Sequence, residues 1–166
     1  MPHLVSKIFT PPQRKLHAAE IALFPADFTD KIDANEILLI NRAHNPFAKN
    51  KILVRNHKIY WPDYPEDFSK TSIYQKAMLM HELCHVWQYY TKRLSALKYL
   101  MRPAGWAYLY AFALEKSFDD YPTEKQADLL QDWYLLNSGK QADNHDRSTA
   151  PPTKAQINKT VPFKWA

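Results

Sequence analysis

An α+β fold, a small antiparallel sheet packed on two central helices, is predicted by three features of the 166-residue sequence. Short β-branched or aromatic runs between residues 36 and 61 are broken by Asn, Pro and His-Asn punctuation. A stretch without Gly or Pro then runs from Glu66 to Arg102, and a second helical segment is closed by Gly139.

The elements follow in order. Residues 1–34 carry the breakers Pro11 and Pro12 and room for a short helix around Gln13 to Leu23, and are read as an arm packed on the domain. Glu36 to Arg42, Lys51 to Arg55 and Lys58 to Trp61 are read as two or three strands of that sheet. Ser72, three residues before Gln75, opens a helix that reaches about Thr91. Its apolar positions, Ala77, Met78, Leu83, Val86 and Trp87, are dense enough to place it in the middle of the domain. After Pro103 and Gly105, Tyr108, Tyr110 and Phe112 alternate with a period of two, which suggests a strand. A loop with Asp119, Asp120 and Pro122 leads into a helix from about Thr123 to Asn137. The polar tail, residues 140–166 with Pro151 and Pro152, is expected to wrap the surface of what is read as a single domain over residues 1–166.

Composition narrows the functions. Only Gly105 and Gly139 are glycines, which excludes glycine-rich phosphate loops, since these need several positions without a Cβ for the backbone to approach phosphate. The formal charge is +5, yet Lys and Arg are scattered rather than gathered into a stripe, so no nucleic-acid partner is expected. No run approaches the roughly 20 apolar residues of a membrane span, and the first residues lack the apolar core of a signal peptide. The one cysteine, Cys84, excludes an intramolecular disulfide and is expected to pack as a small hydrophobe. A cytoplasmic protein in the producing cell is expected, with any export proceeding without a signal peptide.

The chemical signal is His81-Glu82-Leu83-Cys84-His85, an H-E-x-x-H pattern inside the longest expected helix. Four residues apart, His81 and His85 lie one turn above each other, so both imidazoles reach one ion. Glu82, rotated off that pair, is left to act as general base. On the second helix Glu124 and Asp128 are again four apart on one face. Glu124 is then the third ligand, and Asp128 accepts the remaining ring N–H of a ligating histidine. One Zn2+ per chain suits this borderline donor set. Tyr121, Tyr134 and His145 are candidate oxyanion donors, with nothing in the sequence to choose among them.

This pairing of H-E-x-x-H with a downstream E-x-x-x-D resembles the gluzincin metallopeptidases, which implies a zincin-like fold and zinc-dependent peptide hydrolysis. The wider context, HELCHVWQ followed by FDDYPTEKQADLLQDWY, is similar to the Vgr-related metallopeptidases associated with bacterial type VI secretion, from about Asn41 to Gly139. That resemblance implies a peptide or protein substrate, a secretion carrier, an immunity protein and antibacterial toxicity. Two other functions stand beside it: a peptidoglycan amide hydrolase with the same site, and a non-catalytic zinc-bearing adaptor of a secretion system. Glu82 argues against the adaptor, because a structural zinc site has no use for a carboxylate beside an open position.

Overall fold

The computed structural model describes residues 11–44, 51–95 and 109–165. Among them the architecture is α+β: a four-stranded sheet and helices α1 to α5. In chain order these are β1 (Gln13–Lys15), α1 (Ala18–Ile21), α2 (Ala26–Thr29), β2 (Leu38–Ile40), β3 (Leu53–Arg55), β4 (Lys58–Tyr60), α3 (Ile73–Tyr90), α4 (Thr123–Asn137) and α5 (Lys154–Thr160).

The sheet is mixed rather than antiparallel, in the order β1-β2-β4-β3. β1 pairs with β2, and β3 with β4, antiparallel, while β2 and β4 run parallel with Leu39 opposite Ile59. The β3–β4 hairpin turns at Asn56, whose φ of 56° is one that Asn tolerates better than most residues. It enters the sheet by its second strand, bonding through Leu38 N–H to the His57 carbonyl and Trp61 N–H to that of Ile40. β1 occupies the other edge of β2.

The expected arm is therefore part of the sheet. Gln13 to Lys15 is a strand, not the start of a helix, and only Ala18–Ile21 is helical in that region. Glu20, fully buried, anchors it: its carboxylate takes two hydrogen bonds of 2.7 Å from Arg14 and others from the N–H groups of His17 and Phe68. Burial raises the Glu20 pKa, but Arg14 and the two amides outweigh it and hold the carboxyl below its ordinary range. The segment is thereby fastened to the turn that precedes α3.

α3 is capped by Ser72, whose hydroxyl accepts from Gln75 N–H. It is buried almost all round from Leu79 to Gln88, as its apolar density predicts, although Met78 faces solvent. Its most extensive packing is against α4. α4 has the expected bounds and ends in a Schellman turn: Lys140 N–H bonds the Leu135 carbonyl, Gly139 N–H bonds that of Leu136, and Gly139 takes a φ of 76°. Of the predicted strand around Tyr108 to Phe112, Tyr108 lies outside the described residues; Tyr110 forms only an isolated bridge with His145, and Phe112 is in no strand.

The tail is not a surface wrap. It holds α5, capped by Thr153 and Gln156 in a reciprocal box, and it sends Ile157, Val161 and Phe163 into the core. Phe163 packs edge-on to Phe28 and Trp87, and Lys164 N–H bonds Asp27 at 3.0 Å, closing the C-terminal segment on α2. Its proline-rich start hid an apolar cluster too short to give a period.

Phe163→Ala should therefore cost about 3–5 kcal/mol by loss of buried contacts and the cavity left behind. Leu114→Ala, at a side chain 69% exposed, should stay within about 0.5 kcal/mol. Urea unfolding of the two variants beside the parent checks both, and equal midpoints would return the tail to the surface.

Candidate functional site

The site forms where the middle of α3 crosses the first two turns of α4. A helix repeats every 3.6 residues, so His81 and His85 stack on the face of α3 turned to α4, their ring centroids 4.9 Å apart and 81° from parallel. Both Nε2 atoms lie 3.5 Å from Glu124 Oε1. One donor atom from each of His81, His85 and Glu124 lies within 4.8 Å of the others, and all three residues have little exposed side chain.

These distances suit an ion better than direct bonding. At 3.5 Å an N–H···O contact is longer than a good hydrogen bond. Two donors about 2.05 Å from a tetrahedral zinc lie about 3.3 Å apart along the tetrahedral edge. Two imidazoles and a carboxylate are also a donor set that zinc accepts. A second acidic and histidine cluster, His17, Glu20 and Asp67, is of another kind, because Arg14 already engages both oxygens of Glu20.

Asp128 stands one turn along α4 from Glu124. Its Oδ1 is 3.2 Å from His81 Nδ1, within ion-pair reach but out of line with the ring N–H, so His81 Nδ1 and Asp128 Oδ2 are buried without an aligned hydrogen bond. Burial draws the His81 pKa down, but Asp128 and Glu124 outweigh it and push it up to about 10. Burial also raises Glu124, yet the two histidines hold it below the ordinary carboxylate range. Asp128 is moved up, burial prevailing over His81.

Glu82 is buried beside the cluster, and burial pushes its carboxyl up against the pull of His81 and His85. Cys84 is fully buried among apolar neighbours, which drives its thiol pKa well up. The remaining candidates fall in three different settings. Tyr121 is buried, and its hydroxyl accepts from Ala113 N–H. Tyr134 packs between Phe24 and Trp165, inside the apolar core. His145 pairs in parallel with Tyr110, and its Nδ1 is buried without a hydrogen-bond partner among the described residues.

Two features escaped the sequence. Asp132 continues the stripe of Glu124 and Asp128 by another turn; fully buried, it accepts from Tyr110 Oη at 2.7 Å and from the N–H groups of Asp143 and Asn144. Burial still raises its carboxyl. The spacing E-x-x-x-D-x-x-x-D carried that signal. Gln88, one turn after His85, is also fully buried and bonds His85 Nδ1 at 2.9 Å.

No family model matches the chain. Over 131 residues, 74% of the chain, it is 30% identical to the type VI secretion system spike protein VgrG2b of Pseudomonas aeruginosa, and it spans 13% of that protein's length. Its fold is that of the effector domain of Pseudomonas aeruginosa VgrG2b, with a TM-score of 0.67 and 24% identity, covering 94% of this chain and 86% of that domain. The fold shared with that domain is α+β.

A histidine whose pKa is raised in the fold stabilises it fully below the ordinary value of 6.5, and that contribution is lost as pH climbs towards about 10. Metal-free protein should lose stability from about pH 6.5 to about pH 8.5, before Cys84 and the tyrosines enter. Asp128→Asn, which removes one partner of the imidazolium, should show a shallower loss. Urea midpoints across that window measure it, and identical slopes would separate His81 from Asp128.

Proposed function

We propose that this chain is a zinc-dependent metallopeptidase that acts as a type VI secretion effector. The observation that carries the reading is the convergence of His81 and His85 Nε2 on Glu124 Oε1, with Glu82 buried next to them. His81, His85 and Glu124 would hold zinc, which would supply a water of near-neutral pKa and a Lewis acid for the scissile carbonyl. Glu82 would act as general base and then proton donor to the leaving amine, a role favoured by a carboxyl whose affinity for protons burial has raised. Asp128 Oδ1, 3.2 Å from His81 Nδ1, is placed to take that ring N–H on a small adjustment, which would leave Nε2 for the metal.

β3, an edge of the sheet, packs on α3, and an extended peptide bound along this edge would run beside the helix that carries Glu82. This favours a peptide or protein substrate. The link to a spike protein supports a delivery role, with a secretion carrier and an immunity protein as partners. No helix among the described residues is long and apolar enough to cross a membrane.

Three substitutions separate the roles. Glu82→Gln should keep zinc and lose turnover by several orders of magnitude, on the order of 10³-fold or more. Glu124→Ala should lose both zinc and turnover. Asp128→Ala should weaken zinc affinity or activity by about 10- to 100-fold. Zinc affinity measured beside the release of new amine termini, on a proteome and on isolated peptidoglycan, reads all three. Cleavage of peptidoglycan alone would move the substrate from protein to cell-wall peptide, and Glu124→Ala binding zinc as tightly as the parent would refute the ligand set.

Toxicity supplies a further outcome. The parent, expressed in bacterial cytoplasm or periplasm, should impair growth in at least one compartment while Glu82→Gln does not. Growth unaffected in both would remove the effector role and leave the peptidase.

A further inference from the structure

We infer that Gln88 is a positioning residue that fixes the tautomer of His85 and ties it to the start of α4, an inference that rests on the zinc-site reading above. Four hydrogen bonds form one chain through the buried seam between the two helices. Gln126 Nε2 donates to the Phe118 carbonyl at 3.1 Å. Gln88 Nε2 donates to the Thr123 carbonyl at 2.7 Å and to Gln126 Oε1 at 3.0 Å. Gln88 Oε1 meets His85 Nδ1 at 2.9 Å.

The direction of every bond follows from the two main-chain carbonyls at the ends. A carbonyl oxygen only accepts, so the group that faces Phe118 O must be the NH2 of Gln126, and Gln126 therefore turns its oxygen to Gln88. Gln88 meets two acceptors, Gln126 Oε1 and Thr123 O, and can answer them only with its own NH2. Its oxygen is left for His85. An oxygen at Nδ1 requires that nitrogen to carry the proton, so the lone pair of a neutral ring stands on Nε2, the atom 3.5 Å from Glu124.

The same carboxamide joins two parts of the site. Thr123, whose carbonyl it holds, is the first residue of α4 and the neighbour of Glu124. Gln88 and Gln126 are both buried, so a flipped amide would set oxygen against oxygen with no water to relieve it, a cost of about 1–3 kcal/mol per unsatisfied group. His85 is thus oriented by a neutral amide with a single permitted direction, whereas His81 has an aspartate carboxylate within ion-pair reach.

The test is the ring nitrogen spectrum of ¹⁵N-labelled full-length protein, metal-free and zinc-loaded. In both states His85 Nδ1 should show the shift of a protonated nitrogen, and the ring should bind zinc through Nε2. An unprotonated His85 Nδ1 in either state overturns the inference without any variant. Gln88→Met, similar in shape but with no amide, should lower zinc affinity by about 10- to 100-fold. Gln88→Glu, which still offers an oxygen to Nδ1–H but sets its other oxygen against the Thr123 carbonyl and Gln126 Oε1, should keep Nδ1 protonated and lower the stability of the fold. Equal affinity in Gln88→Met and the parent would also overturn it. If the parent binds no zinc at all, the peptidase reading fails, yet the metal-free spectrum still decides the amide chain.

Discussion

Everything in this molecule is arranged around a charged cluster buried where two helices cross. Taking His81, Glu82, His85, Glu124 and Asp128 out of water is costly, and helices crossing at such a point would separate or fill the gap with apolar side chains unless each charge found a partner. The pairing of His81 with Glu124 and Asp128, and the rise in the His81 pKa, are the metal-free answer to that problem. A proton on His81 supplies the positive charge that the carboxylates demand. A cation bound by the same atoms would meet the same electrostatic need.

Beyond the cluster, two buried acids do the structural work at a distance. Glu20 gathers the N-terminal strand, α1 and the turn before α3; Asp132 gathers Tyr110 and the segment from Asp143 onward. Each carboxylate accepts several donors from segments far apart in sequence, so a single side chain fixes loop positions that secondary structure leaves undetermined. Asp132 sits on the face of α4 that carries Glu124 and Asp128. The stripe therefore passes from candidate ligand, to partner of a ligand, to anchor of the loop that holds His145.

Much of the central pair was legible from local patterns. Ser72 opening α3 and Gly139 closing α4 act through bonds within a few residues, which a sequence displays directly, and the i, i+4 spacing carried the histidines and the acids to one face each. The rest depends on distant partners. Gln13 to Lys15 becomes a strand because the edge of β2 is available to it, not through any alternation of its own. The parallel pairing of β2 with β4 is a matter of insertion order, which three short runs do not encode. Phe163 and Trp165 look like isolated aromatics in a polar tail; Phe163 becomes core against Phe28, and Trp165 packs at the edge of the core against Trp133. Gln88 and Gln126 are ordinary helix residues until the two helices meet and leave their amides no water.

The closure of the C-terminal segment on α2 has a mechanical meaning. Lys164 reaches Asp27 across 137 residues of chain, and beside that bond Phe163 seats its ring on Phe28. A pull on the C-terminal segment meets first the contact of Trp165 with Trp133 and Tyr134 on α4, and then this seam. Peeling the segment would uncover the ring faces that Phe28, Trp87 and Trp133 turn to Phe163 and Trp165. Re-forming this seam brings residues 27–28 and 163–164 together from far apart in the chain, a contact of high sequence separation.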